Sequence, residues 1–312
     1  MAGEPALDVV TGAYSFTGRH IAARLLACGR RVRTLTGHPE RPDPFGGAVP
    51  AEPFRWDDPA ALAAGLAGAD TLYNTFWIRF ARGASDHGAA VARSRALLAA
   101  AERAGVRRIV HVSITGADPR SPLPYFRGKG LVEEALRAGR TPWAIVRPAL
   151  IFGDGDVLLH NIAWLARRLP VLGVFGDGRY LVQPVAAEDL AALALEAAGR
   201  PGTETDAVGP ETYAYEDMVR AVAAAVGRRP ALVHVSPAAG WAAGLLIGAF
   251  VGDVVVTRDE VTALMAGLLI SQGPPTCPSR LSAWLAAHGP GLGRRWASEL
   301  HRHYGAQGGA AR

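Results

Sequence analysis

The sequence predicts a doubly wound, parallel α/β sheet with a smaller, mainly helical second lobe. Short β-branched runs alternate with Ala/Leu-rich segments through the first half, which is the rhythm of βαβ units. Glycine or proline stands at the expected helix boundaries between those runs. With 312 residues, 49% of them apolar, the chain also exceeds what one hydrophobic core usually holds, about 250–300 residues.

The candidate strands, in order, are Leu7–Thr11, Arg31–Thr36, Thr71–Thr75, Arg108–Ser113 and Trp143–Arg147. Cys28-Gly29 closes the first intervening helix and Ala104-Gly105 another, while Pro124 opens a third that ends at Ala138-Gly139. Right-handed crossovers distribute such helices over both faces of a sheet and leave ligands to bind beyond the carboxyl ends of its strands. Past Gly153 the rhythm breaks. The run Gly153-Asp154-Gly155-Asp156, a helix near Leu158–Arg168 and the turn Gly176-Asp177-Gly178 read as an excursion from the sheet. A strand at Val182–Val185 and a helix at Glu188–Ala198 resume the α/β pattern, and a second departure follows at Gly209. The expected division is therefore a first domain over 1–150, resumed by 182–208, and a second lobe formed by 151–181 and 209–312.

Composition narrows the function. The net charge is +5 and the pI about 9.6, yet the arginines are dispersed without an aromatic-laced basic stripe, so no nucleic-acid partner is expected. Cys28 and Cys277 fit neither a disulfide framework nor a zinc site, and the Asp154, Asp156 and Asp177 turns lack calcium-loop spacing, so no metal is expected. His301 and His303 read as a solvated helix end. The opening MAGEPALDVV lacks the features of a signal peptide, and a cytoplasmic protein is expected. The longest apolar run, Ala238 to Gly252, has 15 residues where a spanning helix needs about 20. It reads as a buried or cleft-lining helix, and membrane contact is not expected.

After the first strand comes Thr11-Gly12-Ala13-Tyr14-Ser15-Phe16-Thr17-Gly18 and then a helix from Arg19. A strand running into a glycine turn that opens a helix cradles phosphate, because backbone N–H groups and the helix dipole converge there. In this the chain resembles the short-chain dehydrogenase/reductases, in the extended, atypical branch that carries TGxxGxxG. Gly12 and Gly18 match the pattern, and Ser15 stands where the middle glycine is usual. The resemblance implies a Rossmann domain that holds a nicotinamide dinucleotide with Gly12, Tyr14, Ser15, Phe16, Thr17, Gly18 and Arg19. After the second strand come Thr36, Gly37 and His38, with Arg19, Arg33 and Arg41 near and no acid for a ribose 2′-hydroxyl. NADP(H) is therefore the preferred coenzyme, with NAD(H) the alternative. Asp57, beyond a third strand, and Thr75 and Phe76, beyond a fourth, flank the adenosine by the same resemblance.

Of 33 basic residues only Lys129 is lysine, a bias that GC-rich coding explains and that makes the exception informative. Lys129 lies four residues after Tyr125, on one helical face. Chance places the sole lysine four after one of seven tyrosines among 312 positions in about 2% of arrangements. A tyrosine working as acid or base near neutrality needs its pKa, ordinarily about 10, lowered by roughly three units, and a nearby ammonium supplies the stabilising charge. The resemblance gives the pair that role and also sets Lys129 and Pro148 at the coenzyme. It extends over 6–153, including Arg147-Pro148 and Phe152-Gly153, and more loosely over Val182–Gly209. The hydroxyl that orients a substrate oxygen is Ser113 or Thr115, which flank Ile114. Trp77 and Phe80 are candidate substrate-pocket walls. The activity implied is an NAD(P)-dependent oxidoreductase on a small or medium, largely apolar carbonyl or alcohol. Leu181 stands where relatives that handle nucleotide sugars place an arginine. Alternatives from the same branch are a non-catalytic NADP(H)-binding regulator or accessory protein, and a coenzyme-dependent epimerase or dehydratase. A homodimer is left open.

Overall fold

β1 (Leu7–Thr11), β2 (Arg31–Thr36), β4 (Ala69–Asn74), β5 (Arg108–Val112) and β6 (Trp143–Pro148) form where the β-branched runs predict them, and β3 (Ala51–Pro53) adds a short edge. The computed structural model describes residues 5–83 and 85–304, with side chains through His301. The seven strands lie in the order β11-β6-β5-β4-β1-β2-β3, all parallel, with β11 (Thr203–Ala207) closing one edge. Strand order reverses at β1, which pairs with both β2 and β4, and in such sheets the ligand crevice opens there.

Crossover helices cover the sheet. α1 (Phe16–Ala27) buries Gly18, Ile21, Ala22 and Leu25 and meets α6 (Ala187–Ala197). α2 (Pro59–Ala64), α3 (His87–Arg103) and α4 (Pro124–Ala138) pack in succession, with Leu62, Leu97 and Leu136 joining Val9, Leu72 and Ile109 in one core. At the amino end of β1 the fully buried Asp8 accepts two hydrogen bonds from Arg30, each 2.7 Å, and Arg30 reaches Asp70 at 2.9 Å. This pairing holds the Arg30 guanidinium above its ordinary pKa, chiefly through its hydrogen bond to Asp8.

The second unit comprises residues 149–186 and those from 208 on. It contains β7 (Leu150–Phe152), α5 (Leu158–Arg168), β8 (Val171–Phe175), β9 (Leu181–Val182) and β10 (Pro184–Ala186). It continues with β12 (Tyr213–Ala214), α7 (Tyr215–Ala225), β13 (Ala231–Val235), α8 (Pro237–Val251), α9 (Arg258–Met265), α10 (Leu281–His288) and α11 (Glu299–Tyr304). Its core gathers Phe152, Leu159, Met218, Val222 and Leu281.

Two sequence expectations change here. The strand expected at Val182–Val185 is broken at Gln183, whose side chain donates to the Gly209 carbonyl at 2.9 Å and accepts from the Ser271 amide at 3.1 Å. β10 pairs with β7, so the chain returns to the first unit at Ala187 and not at 182. The apolar run 238–252 is a surface helix: Leu246 is 75% and Phe250 84% exposed, and only Gly244 and Gly248 of α8 are buried. No described helix is long and apolar enough to cross a membrane.

Candidate active site

The glycine turn follows β1 at the sheet's reversal point. Gly12 has φ +64°, a conformation that favours glycine, and its amide donates to the Leu35 carbonyl at 2.8 Å. A Cβ on Gly18 would lie 2.3 Å from the Gly12 carbonyl oxygen, so the opening of α1 presses on the turn as only glycine permits. Ser15, in place of the middle glycine, donates its hydroxyl to the Gly12 carbonyl at 2.5 Å and does not cap α1. α1 therefore opens without a side-chain cap on its first-turn amides, those of Thr17 and Gly18 among them, an arrangement that fits a pyrophosphate. The Tyr14 phenol, by contrast, donates to the Val49 carbonyl at 2.7 Å, and burial followed by the charge of Asp43 raises its pKa. Tyr14 therefore ties down the loop after β2 with its side chain.

Beyond β2, the buried Thr36 accepts the His38 amide at 3.1 Å, and Gly37 has no atom within 4 Å of an added Cβ. Of the cations that the sequence assembles here, Arg33 is committed elsewhere: it donates to the Gly65 carbonyl at 3.0 Å and pairs with Glu52 at 3.5 Å. His38 lies 3.3 Å from Glu40, an acid beyond the strand end. Arg19 lies in the first turn of α1. Asp57 is an exposed turn residue, and its neighbour Asp58 caps α2 by accepting the Ala60 and Ala61 amides. Phe76 joins a cluster with Phe54 and Trp56, the latter two stacked at 4.2 Å, an aromatic wall beyond β3 and β4 that strand periodicity did not reveal. Thr75 bonds back to Thr11 through both its amide, 2.7 Å, and its hydroxyl, 2.5 Å.

α4 sets the catalytic candidates. Lys129 is buried, its Nζ donates to the Val112 carbonyl at 2.8 Å, and the ammonium stands 4.9 Å above the centre of the Trp77 ring. Trp77 also meets the Tyr125 ring edge-on at 5.9 Å, so the two helix residues share one indole. Two mid-helix glycines make this possible. A Cβ on Gly128 would come within 2.8 Å of the Trp77 ring, and one on Gly130 within 2.3 Å of the Pro119 nitrogen. One turn on, the buried Glu133 accepts from Arg147 at 2.8 and 2.6 Å and from Arg137 at 2.9 Å, clamping α4 to β6. Burial pushes the Lys129 pKa down to about 7, against the raising effect of Glu133.

The strand bearing the candidate hydroxyls stays extended past β5. The Ser113 amide donates to the Val146 carbonyl at 2.8 Å and the Thr115 amide to that of Pro148 at 3.0 Å, so the two side chains share a face. Both are buried, and the Ser113 hydroxyl has no hydrogen-bond partner among the described residues. Phe80 is buried as well. Two features escape sequence reasoning. His87, at the start of α3, brings its ring to 5.8 Å from Tyr125 and 6.1 Å from Trp77. His111, wholly buried on β5, accepts from the Asn74 amide nitrogen at 3.2 Å, and burial, then the Lys129 charge, keeps it neutral. Gly-Lys-Gly within a helix was the signal available for the close packing around Lys129.

Fold and site together define a Rossmann-type parallel sheet whose glycine turn suits a dinucleotide. Residues 12–159 match the family described as NAD(P)H-binding. The chain is similar to a ceramide reductase of Caulobacter vibrioides, 29% identical over 252 residues, which make up 77% of each chain. Among solved structures it is similar to a triphenylmethane reductase of Citrobacter sp. complexed with NADP(H), with TM-score 0.71 and 17% identity over 91% of this chain and 99% of that one. An NADPH-dependent quinone oxidoreductase of Escherichia coli complexed with NADPH has TM-score 0.71 and 18% identity over 90% and 99%.

Two outcomes follow. Gly130→Ala gains about 1 kcal/mol of helix propensity but drives a methyl into backbone, and is expected to destabilise by a net 1–3 kcal/mol or so in urea unfolding. Lys129→Met is expected to stabilise the coenzyme-free protein by a few kcal/mol at pH 7. Because the unfolded lysine titrates near 10.4 and the folded one at about 7, the unfolded chain binds the extra proton between those values. The wild type therefore gains stability relative to the variant as pH rises from 7 to 10, and paired melting curves should converge over that window.

Proposed function

We propose that the protein is an NADP(H)-dependent oxidoreductase acting on a small or medium, largely apolar carbonyl or alcohol. The observation that carries this reading is the sole lysine, buried on α4 between two glycines, hydrogen-bonded to the strand end and sharing the Trp77 ring with Tyr125. The turn from Gly12 to Gly18 holds the pyrophosphate, the Phe54–Trp56–Phe76 cluster borders the adenine, and Thr36, Gly37 and His38 border its ribose. Bound coenzyme supplies or accepts a hydride at nicotinamide C4. Tyr125 moves the proton at its phenolic oxygen: it protonates the oxygen of a carbonyl being reduced, or takes the proton of an alcohol being oxidised. Lys129 holds the nicotinamide ribose and favours the ionised phenol while Ser113 or Thr115 donates to the substrate oxygen. Trp77 and Phe80 border the reacting end.

The open space at Gly37 supports the NADP(H) preference by leaving room for a 2′-phosphate beside His38 and Arg41. An apolar substrate agrees with the exposed Leu181 at the position of a nucleotide-sugar arginine, and with relatives named for ceramide, triphenylmethane and quinone chemistry.

Thermal-shift titration tests the coenzyme. At 100 times its Kd a ligand adds about 2.7 kcal/mol, so NADPH should raise Tm by several degrees at a concentration where NADH does less. No shift with either nucleotide removes the reading. Tyr125→Phe tests the chemistry. With quinone and aryl-ketone substrates, kcat should fall about 100-fold or more while the NADPH Kd changes little. Undiminished turnover would remove Tyr125 as the proton donor.

A further inference from the structure

The exposed large hydrophobic side chains, among the described residues, all lie in the second unit. β8 and β13 pair in parallel with Val171 opposite Ala231, Gly173 opposite Val233 and Phe175 opposite Val235, so these six share one face. Leu172 and Val174 turn the other way into the core, and Val171 and Val233 are each 46% exposed. α8 covers the far end of the same face. It packs through a stripe of glycines: Gly240 on Phe175 and Val235, Gly244 on Val256 and Gly248 on the Asp253 carbonyl. Its leucines and phenylalanine are therefore left outside, with Leu245, Leu246 and Phe250 all more than half exposed.

The opposite end of that face is cationic. Parallel strands begin at one edge, and Arg167-Arg168 precede β8 as Arg228-Arg229 precede β13. Arg167 donates to the carbonyls of Leu292 and Pro290, and Arg168 to those of Gly293 and Arg294, which brings Arg294-Arg295 to the same edge. No acidic residue falls within 157–176, 218–252 or 289–298. Five of the six arginines are exposed, and none forms an ion pair among the described residues. The arginine edge and α8 are separated by one five-residue strand length, about 16 Å.

We propose that this face docks on an anionic lipid bilayer. Leu245, Leu246 and Phe250 enter the interfacial zone, and the arginine edge meets the headgroup phosphates. At 15 residues α8 is about 22 Å long, too short to cross roughly 30 Å of hydrocarbon, so it lies in the surface. A second copy on the same patch would oppose arginine with arginine. A nucleic acid would neutralise the arginines and leave the aliphatic side chains in water. The inference runs against the expectation of no membrane contact, which the lipid experiment tests, and stands apart from the oxidoreductase reading.

Cosedimentation of the full chain with vesicles tests it. Vesicles of phosphatidylcholine with phosphatidylglycerol should bind about tenfold or more tightly than phosphatidylcholine alone, and binding should weaken with salt. Leu246→Ser with Phe250→Ser, and separately Arg228→Gln with Arg229→Gln, should each cut binding about tenfold while Tm and the NADPH Kd stay unchanged. Absence of binding overturns the proposal, as does equal binding to both vesicles. A dimer in sedimentation analysis that the Leu246/Phe250 variant dissolves, or duplex DNA binding that the arginine variant alone abolishes, assigns the face to another partner and overturns it too.

Discussion

Burying one ammonium beneath the carboxyl edge of a parallel sheet is the constraint around which this site is arranged. An amine out of water needs a hydrogen-bond acceptor and a polarisable neighbour, and Lys129 has the Val112 carbonyl and the face of Trp77. To reach both, α4 must press closely on its surroundings, and Gly128 and Gly130 give up helix propensity so that it can. The Glu133–Arg147 bridge then fixes the helix against β6, so that Tyr125 meets the same indole one turn away. A lysine whose charge is that marginal in the free protein is set to gain from hydroxyl acceptors brought by a ligand.

The two ends of the sheet use polar burial differently. At the amino end, Asp8, Arg30 and Asp70 form an ionic set that Arg107 extends at 3.1 Å from Asp70. At the carboxyl end, Thr11, Asn74 and His111 form a chain across three strands, yet the Nε2 of His111 and the Ser113 hydroxyl have no partner among the described residues. Satisfied groups hold a fold together, and buried unsatisfied ones mark where a protein meets something else.

The strands and the glycine turn were legible because each rests on local chemistry: β-branched runs, a strand-to-helix glycine, a helix-opening proline. The Tyr125/Lys129 pair was legible because arginine replaces lysine everywhere else. What escaped depends on partners distant in sequence. Arg33 reads as a free cation until Glu52 is known to lie on the adjacent strand. β3 has three residues and a proline, too few for a periodic signal. Gln183 breaks a strand because of Gly209 and Ser271, 26 and 88 residues away. α8 misled for a different reason. Fifteen apolar residues read as core, but the helix packs through its glycines and leaves its largest side chains outside.

The most direct measurement is a crystal structure of the NADPH complex. The account predicts Lys129 Nζ within hydrogen-bond distance of both the Val112 carbonyl and a nicotinamide-ribose hydroxyl, with the pyrophosphate on the Thr17 and Gly18 amides. A nicotinamide riboside directed away from α4, with Lys129 making no contact to it, would contradict the account.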